Sequence, residues 1–417
     1  MGDLESFIGD HLGLIDPWKV TDVSVTEGPF GPEDHIHVDI PFGKLVVCPC
    51  CGKQCKVHDR SEERVWRNLD IMSRRTYVHA RVPRADCPSC GVRQVDVPWA
   101  RKNSRFTLEF ESMVLALIRS MSVAEAARAL REIPNRLWRI VSAAADTLRD
   151  GSDLSRVRCV GVDEKCFSGH DGYISVFVDL ETRRIIYATE GKGKDAVYRF
   201  SLFLREHGGK PSRIRDFTCD FGLAYISGIR LYFRNARITV DPFHLMQMAN
   251  RALNDVKCNE YPLTVSRMKA RYILLRRGDS LDENQQRIRE EICMNNEKLG
   301  FAYRLKESLS MVYSFGDRET ARNHLEGWIR VAGGRTVRRF NSLARTVENA
   351  MEYILNWYDS HLTNAVLEGT NSLISVIRRR SRGFRTSKNL IDICYLTTDK
   401  RHTDIYGRFI NPLPQVK

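Results

Sequence analysis

A multidomain α+β chain is the fold class the sequence predicts, and three observations predict it. Two Cys-x2-Cys pairs sit among strand-like alternating segments between residues 35 and 91. From Thr107 the apolar period turns helical. Between residues 156 and 244, three strand-like runs are followed by helix, strand, helix and strand.

The chain has 417 residues, long for one core, so several domains are expected. Apolar residues make up 42% and the mean hydropathy is −0.36, the balance of a soluble folded protein. The longest strongly apolar run, "MVLALI", is too short to span a bilayer. The start "MGDLESFIGD" is acidic and carries no apolar h-region, which predicts a cytoplasmic protein. The formal charge of +13 points to a polyanionic partner. That charge is concentrated: residues 71–106 hold eight Lys/Arg against Asp86 and Asp96, and residues 360–417 hold ten against four acids.

Residues 1–100 read as a zinc ribbon-like domain. "HIHVDIPFGKLVV" and "RTYVHARVPRADCPSCG" alternate like half-buried strands, and each runs into a cysteine knuckle. Cys48, Cys51, Cys87 and Cys90 form the pattern CxxC…CxxC, and four thiolates at about 2.3 Å satisfy tetrahedral Zn²⁺. Gly52 and Gly91 follow the two pairs and supply permissive backbone. Cys50, Cys55 and His58 compete as ligands, so the set stays open at this point. No water position is implied, and this zinc is structural.

Residues 101–150 read as a helix-turn-helix DNA-binding domain. "TLEFESMVLALIRS" has one apolar helical face, "SVAEAARAL" opens with Ser122 and Glu125 as a capping box, and "IPNRLWRIVSAAADTLR" follows a short turn. Arg136 and Arg139 on the last helix are candidate DNA contacts, with Arg74, Arg75, Arg81 and Arg84 from the basic stretch before it.

Residues 151–250 carry the element order of a ribonuclease H-like α/β core. "RVRCVGVDEK", "GYISVFVDL" and "RRIIYATEG" are strands, "DAVYRFSLFLREHG" a helix, "IRDFTCD" a strand, "LAYISGIRLYF" a helix and "ARITVDPFH" a strand. Asp163, Asp220 and Asp241 each end a strand. Clustered carboxylates of this kind suit phosphodiester cleavage with two Mg²⁺ (or Mn²⁺) ions. Glu164 falls on the opposite side of its strand and is set aside. Residues 251–358 are helical and charged throughout, an all-helical insertion that interrupts the core. Residues 359–417 then return with one more helix and a basic tail. Along that helix Asn364, Glu368, Asn371, Ser375, Arg378 and Arg379 share a polar face, and Val366, Thr370, Leu373 and Ile377 are expected to pack on the sheet. Arg378, Arg379, Arg380 and Arg382 are placed to grip DNA beside Glu368.

The stretches "GVDEK", "VDPFHLMQMAN", "MKARYILLRR" and "LNWYDSHLTNAVLEGTNSLISVIRRRSRGF", with the paired cysteine knuckles, together resemble bacterial insertion-sequence transposases of the ISL-three group, over about residues 40–400. The resemblance implies a zinc-binding domain, a helix-turn-helix and a DDE transposase domain of ribonuclease H-like fold. Carried over by residue, Asp163 matches the first acid and Glu368 the last. The second is open between Asp220, favoured by its place at the fourth strand, and Asp241, favoured by the string "VDPFH". Asp241 and His244 also resemble an auxiliary [C/D]xxH motif of related transposases. The implied activity is binding terminal inverted repeats, cleaving the element ends and joining them to target DNA. A dimer or larger synaptic assembly and a nucleoid-associated location are implied with it.

Overall fold

The computed structural model describes residues 2–29, 31–168, 172–260, 273–276, 280–334, 337–362 and 365–399. They fall into two compact units that divide after Leu148.

The first unit opens with α1 (Gly2–His11) and β1 (Lys19–Gly28), β2 (Gly31–Asp39), β3 (Val46–Val47) and β4 (Gln54–Arg60). β5 (Arg64–Arg67), β6 (Arg75–Ala80), β7 (Pro83–Cys87) and β8 (Gly91–Gln94) follow. They build two four-stranded sheets, ordered β1-β2-β6-β5 and β3-β4-β7-β8. The segment "RTYVHARVPRADC", expected as one strand, is two, and they belong to different sheets. The cause is a slip in the alternation: Val82 and Pro83 are consecutive buried residues, so the core face changes side there. Pro83, which lacks an N–H, takes a strand-opening position. Trp18, Trp66 and Trp99 meet edge to face in the core, with centroids 4.9 and 5.5 Å apart.

Three helices close this unit: α2 (Leu108–Leu117), α3 (Val123–Ala129) and α4 (Pro134–Asp150). Ser122 and Glu125 form the anticipated capping box. α4 buries Leu137, Ile140, Val141, Ala144, Ala145 and Leu148 at helical spacing. The link between sheet and helices is Arg67, a residue with no signal in the sequence. Its side chain is 2% exposed, bonds Asp70, lies 3.8 Å from Glu132 and stacks over Phe110 at 5.4 Å. Nearby, the Thr107 hydroxyl donates to Asn68 Oδ1 at 2.7 Å.

In the second unit, β9 (Cys159–Ser168), β10 (Gly172–Asp179) and β11 (Arg184–Glu190) form an antiparallel meander. After α5 (Lys194–Glu206), β12 (Asp216–Cys219) adds parallel to β9; after α6 (Leu223–Tyr232), β13 (Arg237–Val240) adds parallel to β12. The sheet order is β11-β10-β9-β12-β13, with β9 in the centre. Phe177, Phe200, Phe217 and Phe233 pack between the sheet and the helices.

The described chain from Pro242 to Ser360 is helical: α7 (Pro242–Glu260), α8 (Glu283–Asn295), α9 (Glu297–Ser310), α10 (Arg318–Ala332), α11 (Arg338–Leu355) and α12 (Trp357–Ser360). α7 begins directly after Asp241, so the strand expected to end at that acid closes at Val240 and Pro242 to His244 open the helix. Within the stretch expected to be helical throughout, the chain breaks at Asn296, whose side chain accepts from Leu299 N at 2.9 Å and caps α9. Most of "SRMKARYILLRR" lies outside the described residues.

The chain returns to the sheet as α13 (Ala365–Arg380) and α14 (Ser387–Thr398). Buried on α13 are Leu367, Thr370, Ile374 and Ile377; of the expected set Thr370 and Ile377 are buried, Leu373 is half-buried, and the Val366 side chain lies outside the described residues. Leu367 decides the rotation: it covers Gly161 of β9, where a Cβ would stand 2.9 Å from Leu367 Cδ1. α14, which the sequence reading did not separate from the basic tail, buries Leu390, Ile391, Ile393, Cys394, Tyr395 and Leu396. The Ala188 amide on β11 donates to its Tyr395 Oη at 3.1 Å. No helix among the described residues is long and apolar enough to cross a membrane.

Arg67→Ala removes a buried cation shared by two acids that keep Arg131 and Arg136 as partners. It is expected to lower the stability of the full chain by about 1–3 kcal/mol, read as a lower denaturant midpoint. A midpoint equal to wild type would show that these pairs contribute nothing.

Candidate functional site

The parallel register around β12 brings three acids level. Thr218 pairs with Gly161 and Cys219 with Val240; counting on, Asp220 stands level with Asp163 on one side and Asp241 on the other. Adjacent strands lie about 4.8 Å apart, so the three Cα atoms span roughly two strand spacings at one sheet edge. Asp163 and Asp241 are buried, and Asp220 is half-buried.

Each acid is held differently. Asp163 Oδ1 accepts from the Glu164 amide at 2.7 Å, and Oδ2 accepts from Asn371 Nδ2 and lies 3.6 Å from Lys165 Nζ. Asp220 Oδ1 accepts from the Gly222 amide at 3.1 Å, a turn leading into α6. Asp241 sits directly before Pro242, and its Oδ1 accepts from the Phe243 amide at 3.3 Å. That is a helix N-cap, with proline at the first helical position. His244 Nε2 lies 3.9 Å from Asp241 Oδ2.

Glu368 is in α13, one turn before Asn371. Its side chain lies outside the described residues, as does Asn364. The helix itself is fixed on the central strand by Leu367 over Gly161 and by the Asn371–Asp163 bond.

Two contributors were missed or set aside in the sequence reading. The sequence places Asn371 on the polar face of Glu368 without a role, and the structure shows it bonding Asp163 directly; its place three residues after Glu368, one turn on, is the available signal. Glu164 was discounted by strand alternation. Burial pushes its carboxyl above the usual carboxylate range; Lys192, 3.8 Å away, pulls it back, and Asp220 and Asp163 push it further. Glu164 therefore feels the charges of Asp220 and Asp163, although strand alternation sets it apart from Asp163.

In the first unit, the Sγ atoms of Cys48, Cys51, Cys87 and Cys90 all lie within 4.8 Å of one another. Backbone amides prepare them for metal: the Ser89 N–H holds the Cys87 thiol down at about 6, and the Cys50 N–H lowers Cys48. Cys90 is pushed up to about 12 by its bond with the Cys51 thiol; four thiolates at this spacing need a cation. Cys50 and His58 are exposed and stand outside this group, and the Cys55 thiol donates to the Lys53 carbonyl at 3.4 Å.

The basic candidates are distributed over both units. Arg75 donates to the Arg131 carbonyl at 2.7 Å and lies 3.8 Å from Glu33. Arg84 bonds Asp59 with two nitrogens and holds that carboxyl below the usual range. Arg74 is exposed and 3.5 Å from Asp34. Arg81 and Arg139 are exposed, whereas Arg136 bonds Glu132 at 2.9 Å over the Phe106 ring. Arg378, Arg379 and Arg380 form the last turn of α13, and Arg382 is exposed just beyond it.

Residues 160–393 match the ISL3 family model described as "Transposase". Residues 95–145 match "Helix-turn-helix domain of transposase family ISL3", and residues 44–90 match "zinc-finger of transposase IS204/IS1001/IS1096/IS1165". The chain is 28% identical over 438 residues to "Transposase for insertion sequence element IS1557" of Mycobacterium tuberculosis, covering 96% of this chain and 97% of that protein. It is 26% identical over 381 residues to "Transposase for insertion sequence element IS1001" of Bordetella parapertussis, covering 88% and 93%. The zinc-finger match and the four-cysteine group together support a structural zinc.

Cys90→Ser is expected to abolish the thiolate-to-metal charge-transfer band of the Co²⁺-loaded chain and to unfold the ribbon, since metal binding and folding are coupled. Cys50→Ser and Cys55→Ser are expected to keep that band. A band lost in Cys50→Ser or Cys55→Ser and kept in Cys90→Ser would overturn this ligand set.

Proposed function

The chain belongs to the ISL3 family of insertion-sequence transposases, and from that premise we propose that it binds the terminal inverted repeats of its element, cleaves at the ends and joins them to target DNA. The observation that carries this reading is the level row of acids beneath a clamped helix: Asp163, Asp220 and Asp241 at one sheet edge, with α13 bonded to Asp163 through Asn371.

We read the five-stranded sheet as a ribonuclease H-like core; its meander followed by two parallel strands supports this. The helices between Asp241 and α13 are then an insertion, covering about residues 251–358, between core segments 151–250 and 359–417, after a zinc-binding part (1–100) and a helix-turn-helix (101–150). Asp163, Asp220 and Glu368 are the proposed catalytic acids. Asp220 is preferred over Asp241 because Asp241 is more deeply buried and caps α7. Asp241 and His244 then line the site as auxiliaries.

Carboxylates on adjacent strands and on a packed helix are a hard oxygen donor set that fits Mg²⁺ or Mn²⁺. Two such ions, when bound, would supply Lewis-acid stabilisation of the attacking and leaving oxygens. The chain's own part is positional. Asn371 holds Asp163 in one orientation, Leu367 on Gly161 fixes the depth of α13, and Lys165 and Lys192 offset the local negative charge. Arg378, Arg379, Arg380 and Arg382, together with Arg74, Arg81, Arg136 and Arg139, are the proposed phosphate contacts, which makes binding steeply salt-dependent. Arg75 and Arg84 serve mainly within the protein, given their partners. Pairing two element ends calls for a dimer or larger assembly, for which the helical insertion is the candidate surface.

Purified protein with Mg²⁺ and DNA bearing the element ends tests this. Asp163→Asn, Asp220→Asn and Glu368→Gln should each lower cleavage and joining by about a thousandfold, a loss of several kcal/mol, with end binding retained in a mobility-shift assay. Asn371→Ala should cost about 10–100-fold, as a group that orients a ligand. Wild type that cuts no end under these conditions would sink the enzyme reading. Loss confined to Asp241→Asn, with Asp220→Asn active, would reverse the choice of second acid.

A further inference from the structure

Strand alternation puts a second potential metal group on the first unit, away from the cysteines. In β2, Ile36 and Val38 face the core while His35 and His37 face outward; in β6, Val78 and Ala80 are buried and His79 faces outward with them. β2 and β6 are parallel with His37 level with His79, and the two rings stack with centroids 4.7 Å apart. Glu63, just before β5, reaches both: its Oε2 lies 3.4 Å from His79 Nδ1 and its Oε1 3.9 Å from His37 Nδ1. One ligand atom from each of His37, Glu63 and His79 falls within 4.8 Å of the others.

We propose that His37, His79 and Glu63 form a second divalent-metal site, of the two-imidazole, one-carboxylate kind that takes Zn²⁺. Donors about 2.0–2.1 Å from a tetrahedral zinc stand roughly 3.3 Å apart, close to the Glu63–His79 separation already present. Three protein ligands leave a position for a solvent or ligand oxygen. A supporting hydrogen-bond chain lies behind the site: His79 Nε2 is 2.8 Å from His35 Nδ1, and His35 Nε2 is 2.8 Å from Thr26 Oγ1. If His79 binds metal through Nδ1, its Nε2–H donates to His35, whose own Nε2–H donates to Thr26. That chain fixes the His79 tautomer and ring plane, as outer-shell partners of metal-bound histidines do. The ion would clip β2, β6 and the approach to β5. The inference does not depend on the acids of the second unit.

The test titrates the full-length chain, prepared without a histidine tag, with Co²⁺ in the presence of excess Mg²⁺, which occupies the acids of the second unit. Wild type should take up one equivalent with thiolate charge transfer and a second with ligand-field bands alone. His37→Gln and Glu63→Gln should lose the second equivalent and keep the first; the Glu63 side chain is 46% exposed, so its variant reports on ligation with folding intact. His35→Ala should weaken the second site by about 10–100-fold. A wild type that stops at the thiolate-bound equivalent would overturn the proposal. So would a second equivalent that persists in both His37→Gln and Glu63→Gln, since it would then be adventitious surface binding.

Discussion

The parallel pairing of β12 with β9 on one side and β13 on the other is the constraint on which the second unit depends. It places Asp163, Asp220 and Asp241 at one level, although they lie up to 78 residues apart in the sequence. A strand slipped by one residue would send its acid to the other face of the sheet. The apolar residues just before each acid, Val162, Cys219 and Val240, are all buried, and their burial fixes the register the acids inherit.

Bringing carboxylates together is costly unless cations or hydrogen-bond donors offset them. Burial raises the Glu164 carboxyl first, Asp220 and Asp163 raise it further and Lys192 lowers it, while Lys165 and Asn371 face Asp163. Asn371 has a second effect. Because it is carried by α13, its bond to Asp163 couples the orientation of a strand acid to the seating of the helix that bears Glu368. Gly161 makes that seating possible by leaving room for Leu367. Packing and polar contact therefore act on the same helix at neighbouring turns.

The first unit solves a different problem. Its sheets are small, and the cysteine cluster and the buried Arg67 supply what apolar area alone does not. Arg67 pairs with Asp70 and Glu132 and stacks on Phe110 and Tyr77, so one side chain links the β5 strand to the helix-turn-helix. The outward face of the same sheet collects His35, His37, His79 and Glu63.

Local periodicity and motif spacing were enough to place the cysteine pairs, the three helices after Thr107, the five strands of the second unit and the strand-end acids, because each rests on residues close in the chain. The sequence alone also carried the family resemblance, since its longest motif, around Glu368, is contiguous. What it left open depended on long-range contact. The split of residues 75–87 between two sheets needed the phase slip at Val82–Pro83, and the break at Asn296 needed a cap. The rotation of α13 needed the pairing of Leu367 with Gly161, 206 residues away. The ligand role of Cys50, Cys55 and His58 was undecidable by spacing, because all lie near the knuckle; only convergence of the four other thiols in space separates them. Pattern determined which residues were available, and tertiary packing decided which of them meet.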